Sequence, residues 1–68
     1  MFVITSTKTS TRYASTKEAA MKYFLDSLKE TFGCGPRVLR AKGGEVTLTP
    51  AFAKFNGDVV LLKYVEIV

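Results

Sequence analysis

Histidine and tryptophan are absent from this 68-residue sequence, and cysteine occurs once, as Cys34. Without an imidazole there is no His-dependent triad and no Cys/His zinc set, and a lone cysteine closes no disulfide within the chain. Cys34 lies in Gly33-Cys34-Gly35-Pro36, past a predicted helix end, where neither a base nor a helix N-terminus would activate the thiol; it reads as a structural loop cysteine. Long apolar runs are also missing. Met1-Phe2-Val3-Ile4 passes straight into Thr5-Ser6-Thr7-Lys8, too short for a signal peptide or a membrane span, so a soluble protein of the reducing cytoplasm is expected. The acids form no catalytic pair: Asp26 and Glu30 stand four apart on a helix exterior beside Lys22 and Lys29, where ion pairs on a wet face account for them. No enzyme, cofactor or metal is expected.

What is present is ordinary globular composition with a basic excess. Apolar residues at 47% and charged residues at 24% argue against intrinsic disorder. No internal repeat, low-complexity linker or boundary divides residues 1–68, which read as one domain with a small core and marginal stability. The net charge of +4 is uneven. Residues 1–25 carry +3 through Lys8, Arg12, Lys17 and Lys22 against Glu18, and Arg37, Arg40 and Lys42 carry +3 with no acid among residues 37–42. Charge of this kind speaks to association with polyanions or acidic surfaces, not to fold.

Phe2 to Thr7 is rich in β-branched residues and predicts a strand, which Lys8 to Tyr13 either extends or leaves as a loop. Ser15-Thr16-Lys17-Glu18 has the capping-box form and predicts a helix from about Thr16 to Phe32. Its stripe is Ala20, Met21, Phe24, Leu25, Leu28 and Phe32; Gly33 ends it and Pro36 prevents resumption. Gly43-Gly44 and Asn56-Gly57 predict two hairpins with two-residue primed turns. The sum is an α+β fold: one helix packed on one face of a four- to five-stranded, mainly antiparallel sheet, in the order β-α-β-β-(β)-β.

Two-residue turns fix register. Across Gly43-Gly44, Lys42 should face Glu45, Ala41 Val46, Arg40 Thr47 and Leu39 Leu48; across Asn56-Gly57, Phe55 should face Asp58, Lys54 Val59, Ala53 Val60, Phe52 Leu61 and Ala51 Leu62. Without a bulge, Pro50, Thr49 and Leu48 would face Lys63, Tyr64 and Val65; Pro50, which cannot donate to a ladder, is the weak point of that extension. The helix would then cover Leu39, Ala41, Val46, Leu48, Phe52, Val59, Leu61, Val65 and Ile67. The other face would hold Arg40, Lys42, Glu45, Thr47, Thr49, Ala51, Ala53, Phe55, Val60, Leu62, Tyr64 and Glu66. An apolar patch rimmed by basic and hydroxyl groups is the usual form of a partner surface, so the expected partner-binding residues are Arg40, Lys42, Thr47 and Tyr64, with Arg37 at the rim. The helix N-terminus offers a further candidate, an anion site of Ser15, Thr16 and Lys17 with Arg12 nearby.

The stretch Tyr13-Ala14-Ser15-Thr16-Lys17-Glu18-Ala19 entering the helix, and Val38-Leu39-Arg40-Ala41-Lys42-Gly43-Gly44-Glu45-Val46, resemble small phage-encoded inhibitor proteins: inhibitors of host RNA polymerase and several anti-CRISPR proteins. The resemblance implies an occluding protein that binds a host nucleic-acid-processing complex, a protein or ribonucleoprotein, in the host cytoplasm. It assigns no residue a role. The leading expectation is accordingly a non-enzymatic binding module acting as an inhibitor. Two others stand beside it: direct DNA or RNA binding by the basic face, and homodimerisation through Val60, Leu62 and Phe55. No membrane partner is expected.

Overall fold

A five-stranded antiparallel sheet with strand order β2-β1-β5-β4-β3 organises the computed structural model, which describes residues 1–66. The elements run β1 (Phe2–Ser6), β2 (Arg12–Ala14), α1 (Lys17–Phe32), α2 (Pro36–Ala41), β3 (Thr47–Thr49), β4 (Phe52–Phe55) and β5 (Asp58–Tyr64). The fold class is α+β, as the patterning implies, but the element order is not the expected one: a second strand precedes α1 and a second helix follows it. Ile67, expected on the core face, lies outside the described residues.

Residues 7–11 leave the first strand and return the chain as β2, paired with β1 through Phe2–Ala14, Val3–Tyr13 and Ile4–Arg12. The returning loop is tied to the start of β5: the Thr7 hydroxyl donates to Asp58 at 3.1 Å and accepts from the Val59 amide at 3.1 Å, while Lys8 pairs with Asp58 at 3.4 Å. β1 then lies against β5 through five pairs from Phe2–Tyr64 to Ser6–Val60. Both sheet edges are three-residue strands, short enough to offer little template for further pairing.

Helix α1 begins one residue later than the capping box implies. Its N-cap is Thr16, whose hydroxyl accepts from the Ala19 amide at 3.2 Å, and Ser15 stands outside in solvent. Gly33 ends it as expected, at φ 74° with its amide donating to the Lys29 carbonyl at 2.8 Å, a left-handed position that suits glycine. The buried stripe is Ala20, Phe24, Ser27, Leu28 and Thr31. It is rotated from the purely apolar stripe, so Met21 and Leu25 are left 39% and 40% exposed at its margin. Two hydroxyls sit inside because partners meet them: Thr31 bonds Ser6 of β1, and Ser27 accepts from Arg12 of β2 at 3.3 Å. Arg12 also donates to Glu30 at 2.7 Å, so it brackets β2 to α1. Arg12→Ala is expected to cost about 1–2 kcal/mol, because it leaves the buried Ser27 hydroxyl without that donor; Glu30→Gln, at the half-exposed end, should cost less than about 0.5 kcal/mol in the same urea titration.

The Asn56-Gly57 hairpin has the expected register: Phe55–Asp58, Lys54–Val59, Ala53–Val60 and Phe52–Leu61, with the Leu62 amide donating to the Ala51 carbonyl at 2.8 Å. Asn56 and Gly57 both take positive φ, as a type I′ turn requires. The Gly43-Gly44 hairpin does not exist. Residues 36–41 are helical, with Pro36 in the first turn where its missing amide costs nothing, so none of the pairs from Lys42–Glu45 to Leu39–Leu48 forms. Gly43 and Gly44 do take positive φ, 67° and 69°, but in the segment between α2 and β3. The chain instead reverses at Pro50-Ala51, where the Thr49 hydroxyl accepts from the Ala51 amide and donates to the Phe52 carbonyl. That turn makes β3 a separate strand paired through Thr49–Phe52, Leu48–Ala53 and Thr47–Lys54. Leu48, Thr49 and Pro50 therefore do not face Val65, Tyr64 and Lys63.

The core gathers Ile4, Ala14, Ala20, Phe24, Leu28, Ala53 and Val60, with Phe2, Phe32, Leu48 and Leu62 packed around it. Residues two apart along a strand share a face, so α1 covers the face of Ile4, Ala53, Val60 and Leu62. This reverses the expected sides of β4 and β5: Phe52, Val59 and Leu61 look away from the helix.

Candidate functional site

The face of the sheet opposite α1 has no layer on it, and the register places its side chains in three rows. Tyr13, Val3 and Lys63 form one across β2, β1 and β5. Thr5, Leu61, Phe52 and Thr49 form the next across β1, β5, β4 and β3. Val59, Lys54 and Thr47 form the third. Directly opposed residues in such rows have Cβ atoms about 4.5–5.5 Å apart, so the face is continuous. Val3, Phe52, Val59 and Leu61 make a half-buried apolar centre, and Tyr13, Lys63, Lys54, Thr47 and Thr49 stand exposed around it. Tyr13 is 63% exposed.

The rows contain two lysines and no carboxylate. The described residues form two ion pairs, Lys8–Asp58 and Arg12–Glu30, so neither Lys54 nor Lys63 is neutralised within them. Asp58, which follows Lys54 in the same hairpin, is the cross-strand partner of Phe55 and belongs to the helix side. Chemically the surface can bury apolar area at its centre, offer hydroxyls and stack on Tyr13. It can attract negative charge with its two ammonium groups.

The structure does not bring the sequence-predicted partner residues together. Arg37 and Arg40 lie on α2 and Lys42 caps it, all exposed and unpaired among the described residues. Thr47 lies on the open face. Tyr64 belongs to the helix side at the end of β5, where its ring meets Phe2 edge-on at 5.0 Å. The proposed dimer surface is likewise absent, because Val60 is fully buried, Leu62 packs on the core and Phe55 stacks edge-on against Phe32 at 6.4 Å. The anion site is not assembled either: Arg12 is engaged by Ser27 and Glu30 in the C-terminal half of α1, away from the helix N-terminus, and the Thr16 hydroxyl is occupied as the cap. Cys34 is free and half-buried.

The residues that sequence reasoning missed are Tyr13, Val3, Phe52, Val59, Leu61, Lys54 and Lys63. A signal for five of them was present. Given the Asn56-Gly57 register, Lys54 shares a face with Val59, and Lys63 shares it with Leu61 and Phe52; two lysines on one face mark it as wet. Among the described residues no helix is long and apolar enough to cross a membrane. No family model, curated protein or solved structure matches this chain.

Proposed function

We propose that this protein is a non-enzymatic binding module whose working surface is the open face of its sheet, and that it acts in the cytoplasm by covering an acidic surface of a partner. One observation carries the reading: the open face joins an apolar centre to two unpaired lysines and exposed Thr and Tyr side chains without a single carboxylate. An apolar middle with a polar rim is the anatomy of a protein contact, and charge of one sign steers association toward the opposite sign. The narrower identity, an inhibitor occluding a host nucleic-acid-processing complex, rests on the resemblance to phage-encoded inhibitors. Of the two stretches that suggested it, Tyr13–Ala19 does enter a helix, whereas Val38–Val46 is no hairpin.

The test is the double substitution Lys54→Glu and Lys63→Glu. Both side chains are exposed, so the melting temperature should hardly move while partner capture from the native host falls at least about tenfold and loses its salt sensitivity. Unchanged capture by the folded double variant would sink the proposal.

A second reading has an observation of its own. Tyr13 and Phe52 lie on the same face as the two lysines, and aromatic rings beside cations can stack the bases of a single strand while holding its phosphates. A gel shift with a mixed-sequence single-stranded oligonucleotide at two ionic strengths separates the two. A shift that weakens steeply with salt and disappears in Tyr13→Ala selects nucleic acid, and no shift at low salt leaves the protein partner.

A further inference from the structure

On the helical side of the sheet, α1, α2 and β3 line a cleft of about 250 Å³, which meets the rim of the open face only at Thr49. Phe24 and Leu28 line it from the buried stripe of α1, and Met21 and Leu25 stand at its mouth, 39% and 40% exposed. These last two are successive turns of one helix, left over when the buried stripe rotated toward Ser27 and Thr31. Arg40 supplies the one charge in the lining, and no described acid pairs with it. A second, adjoining depression shares Pro36 and Arg40 and adds Arg37 and Ala41. The apolar cleft thus runs directly into a strip carrying two unneutralised guanidinium groups.

We propose that this cleft is a second docking site, which takes an acidic amphipathic peptide segment of a partner: one large apolar side chain in the cleft, and an Asp or Glu about one helical turn away on Arg40 and Arg37. Charge complementarity selects the acid, since the strip holds cations alone and a guanidinium grips a carboxylate in a two-point fork. Size admits a large side chain: an apolar cavity of ~150 Å³ already holds a benzene ring, so this cleft of about 250 Å³ takes a Leu, Phe or Trp side chain. The exposed mouth leaves the rest of such a segment outside, along the arginine strip, in the helix-in-groove manner. The inference does not depend on the open-face proposal.

The experiment is to pan a display library of random 12-residue peptides against the full chain, synthesise the leading sequence and follow its binding by amide resonances. Enriched sequences should carry a large apolar residue with Asp or Glu three or four positions away. The synthetic peptide should shift the resonances of residues 21–28 and 37–40, and Arg40→Glu, a change at an exposed position, should weaken it at least about tenfold without altering the melting temperature. Arg37→Glu serves as the second variant and should weaken it several-fold. Failure to enrich any sequence, or enrichment without acids, would overturn the inference. Shifts falling on Val3, Lys54 and Leu61 would overturn it too, while strengthening the case for the open face.

Discussion

Val60→Asp is expected to unfold the chain at 25 °C, whereas Leu61→Asp, one residue along the same strand, should leave it folded. Val60 is fully buried beneath α1, between Ser6 of β1 and Ala53 of β4. An aspartate there forfeits the burial of a valine side chain, about 1.5–3 kcal/mol, and places a carboxylate among Ile4, Leu28 and Ala53 with no cation to meet it, a further penalty of several kcal/mol. A chain of 68 residues has roughly 3–10 kcal/mol to lose. Leu61 projects from the open face between Thr5 and Phe52, with Lys54 and Lys63 in the flanking rows, so the same substitution should cost only about 1–2 kcal/mol, mostly strand propensity and lost neighbour contact. Far-UV circular dichroism with urea titration reads the difference. The reverse pattern, a folded Val60→Asp and an unfolded Leu61→Asp, would restore the opposite sidedness of the sheet and remove the proposed interface.

That pair of residues also locates the limit of what patterning reveals here. The Asn56-Gly57 turn made the β4–β5 register legible to the residue, because a type I′ dipeptide leaves no freedom in the pairing. Which side of that hairpin meets α1 was not legible from β5 alone, since Val59, Val60, Leu61 and Leu62 are apolar at both parities. The expected side rests on joining the two turn registers through Leu48, Thr49 and Pro50 opposite Val65, Tyr64 and Lys63, which puts Phe52, Val59 and Leu61 on the face of Leu39 and Leu48. Leu48 does face the core, but it does so opposite Ala53, because the chain reverses at Pro50-Ala51. Pro50 was the one residue in that run unable to join a ladder, and taking it as a turn, together with the two lysines, would have set the faces correctly.

The helices divide in the same way. α1 was legible because sixteen residues show the 3.6-residue period several times over and end on a glycine at positive φ. α2 has six, too few for a period, and Val38 and Leu39 before a glycine pair read equally well as a strand before a turn. Pro36 after Gly35 carried the contrary signal, since proline is favoured in the first helical turn. The expected surface failed with it: on α2, Arg40 lines the α1 cleft with Leu48 and Pro50 and Arg37 lines the depression beside it, Lys42 caps the helix, and Thr47 is left on the open sheet without them. Arg12 departs from the expected anion site for a different reason. Its partners Ser27 and Glu30 are fifteen and eighteen residues away, and no local pattern announces a bond across that separation.

Phe24→Ala should be the most damaging simple truncation, at about 3–5 kcal/mol, and Leu25→Ala beside it should cost less than about 1 kcal/mol. Phe24 is 3% exposed and packs with Ile4, Ala20, Leu28 and Val60, while Leu25 is 40% exposed at the cleft mouth. Against roughly 3–10 kcal/mol of total stability, the first change takes most of the margin. The position has a second consequence, because Phe24 belongs to both the core and the cleft. Its removal joins the two, producing an apolar cavity that a small aromatic molecule can enter from solvent, and a ligand that binds only the folded state raises its stability. Phe24→Ala is therefore expected to melt at higher temperature in saturating benzene than in buffer, whereas Ile4→Ala, in the sheet away from the cleft lining, should show no such rescue. Equal benzene responses in the two variants, or none in Phe24→Ala at a temperature where it is still folded, would mean that this ring does not separate the cleft from the core.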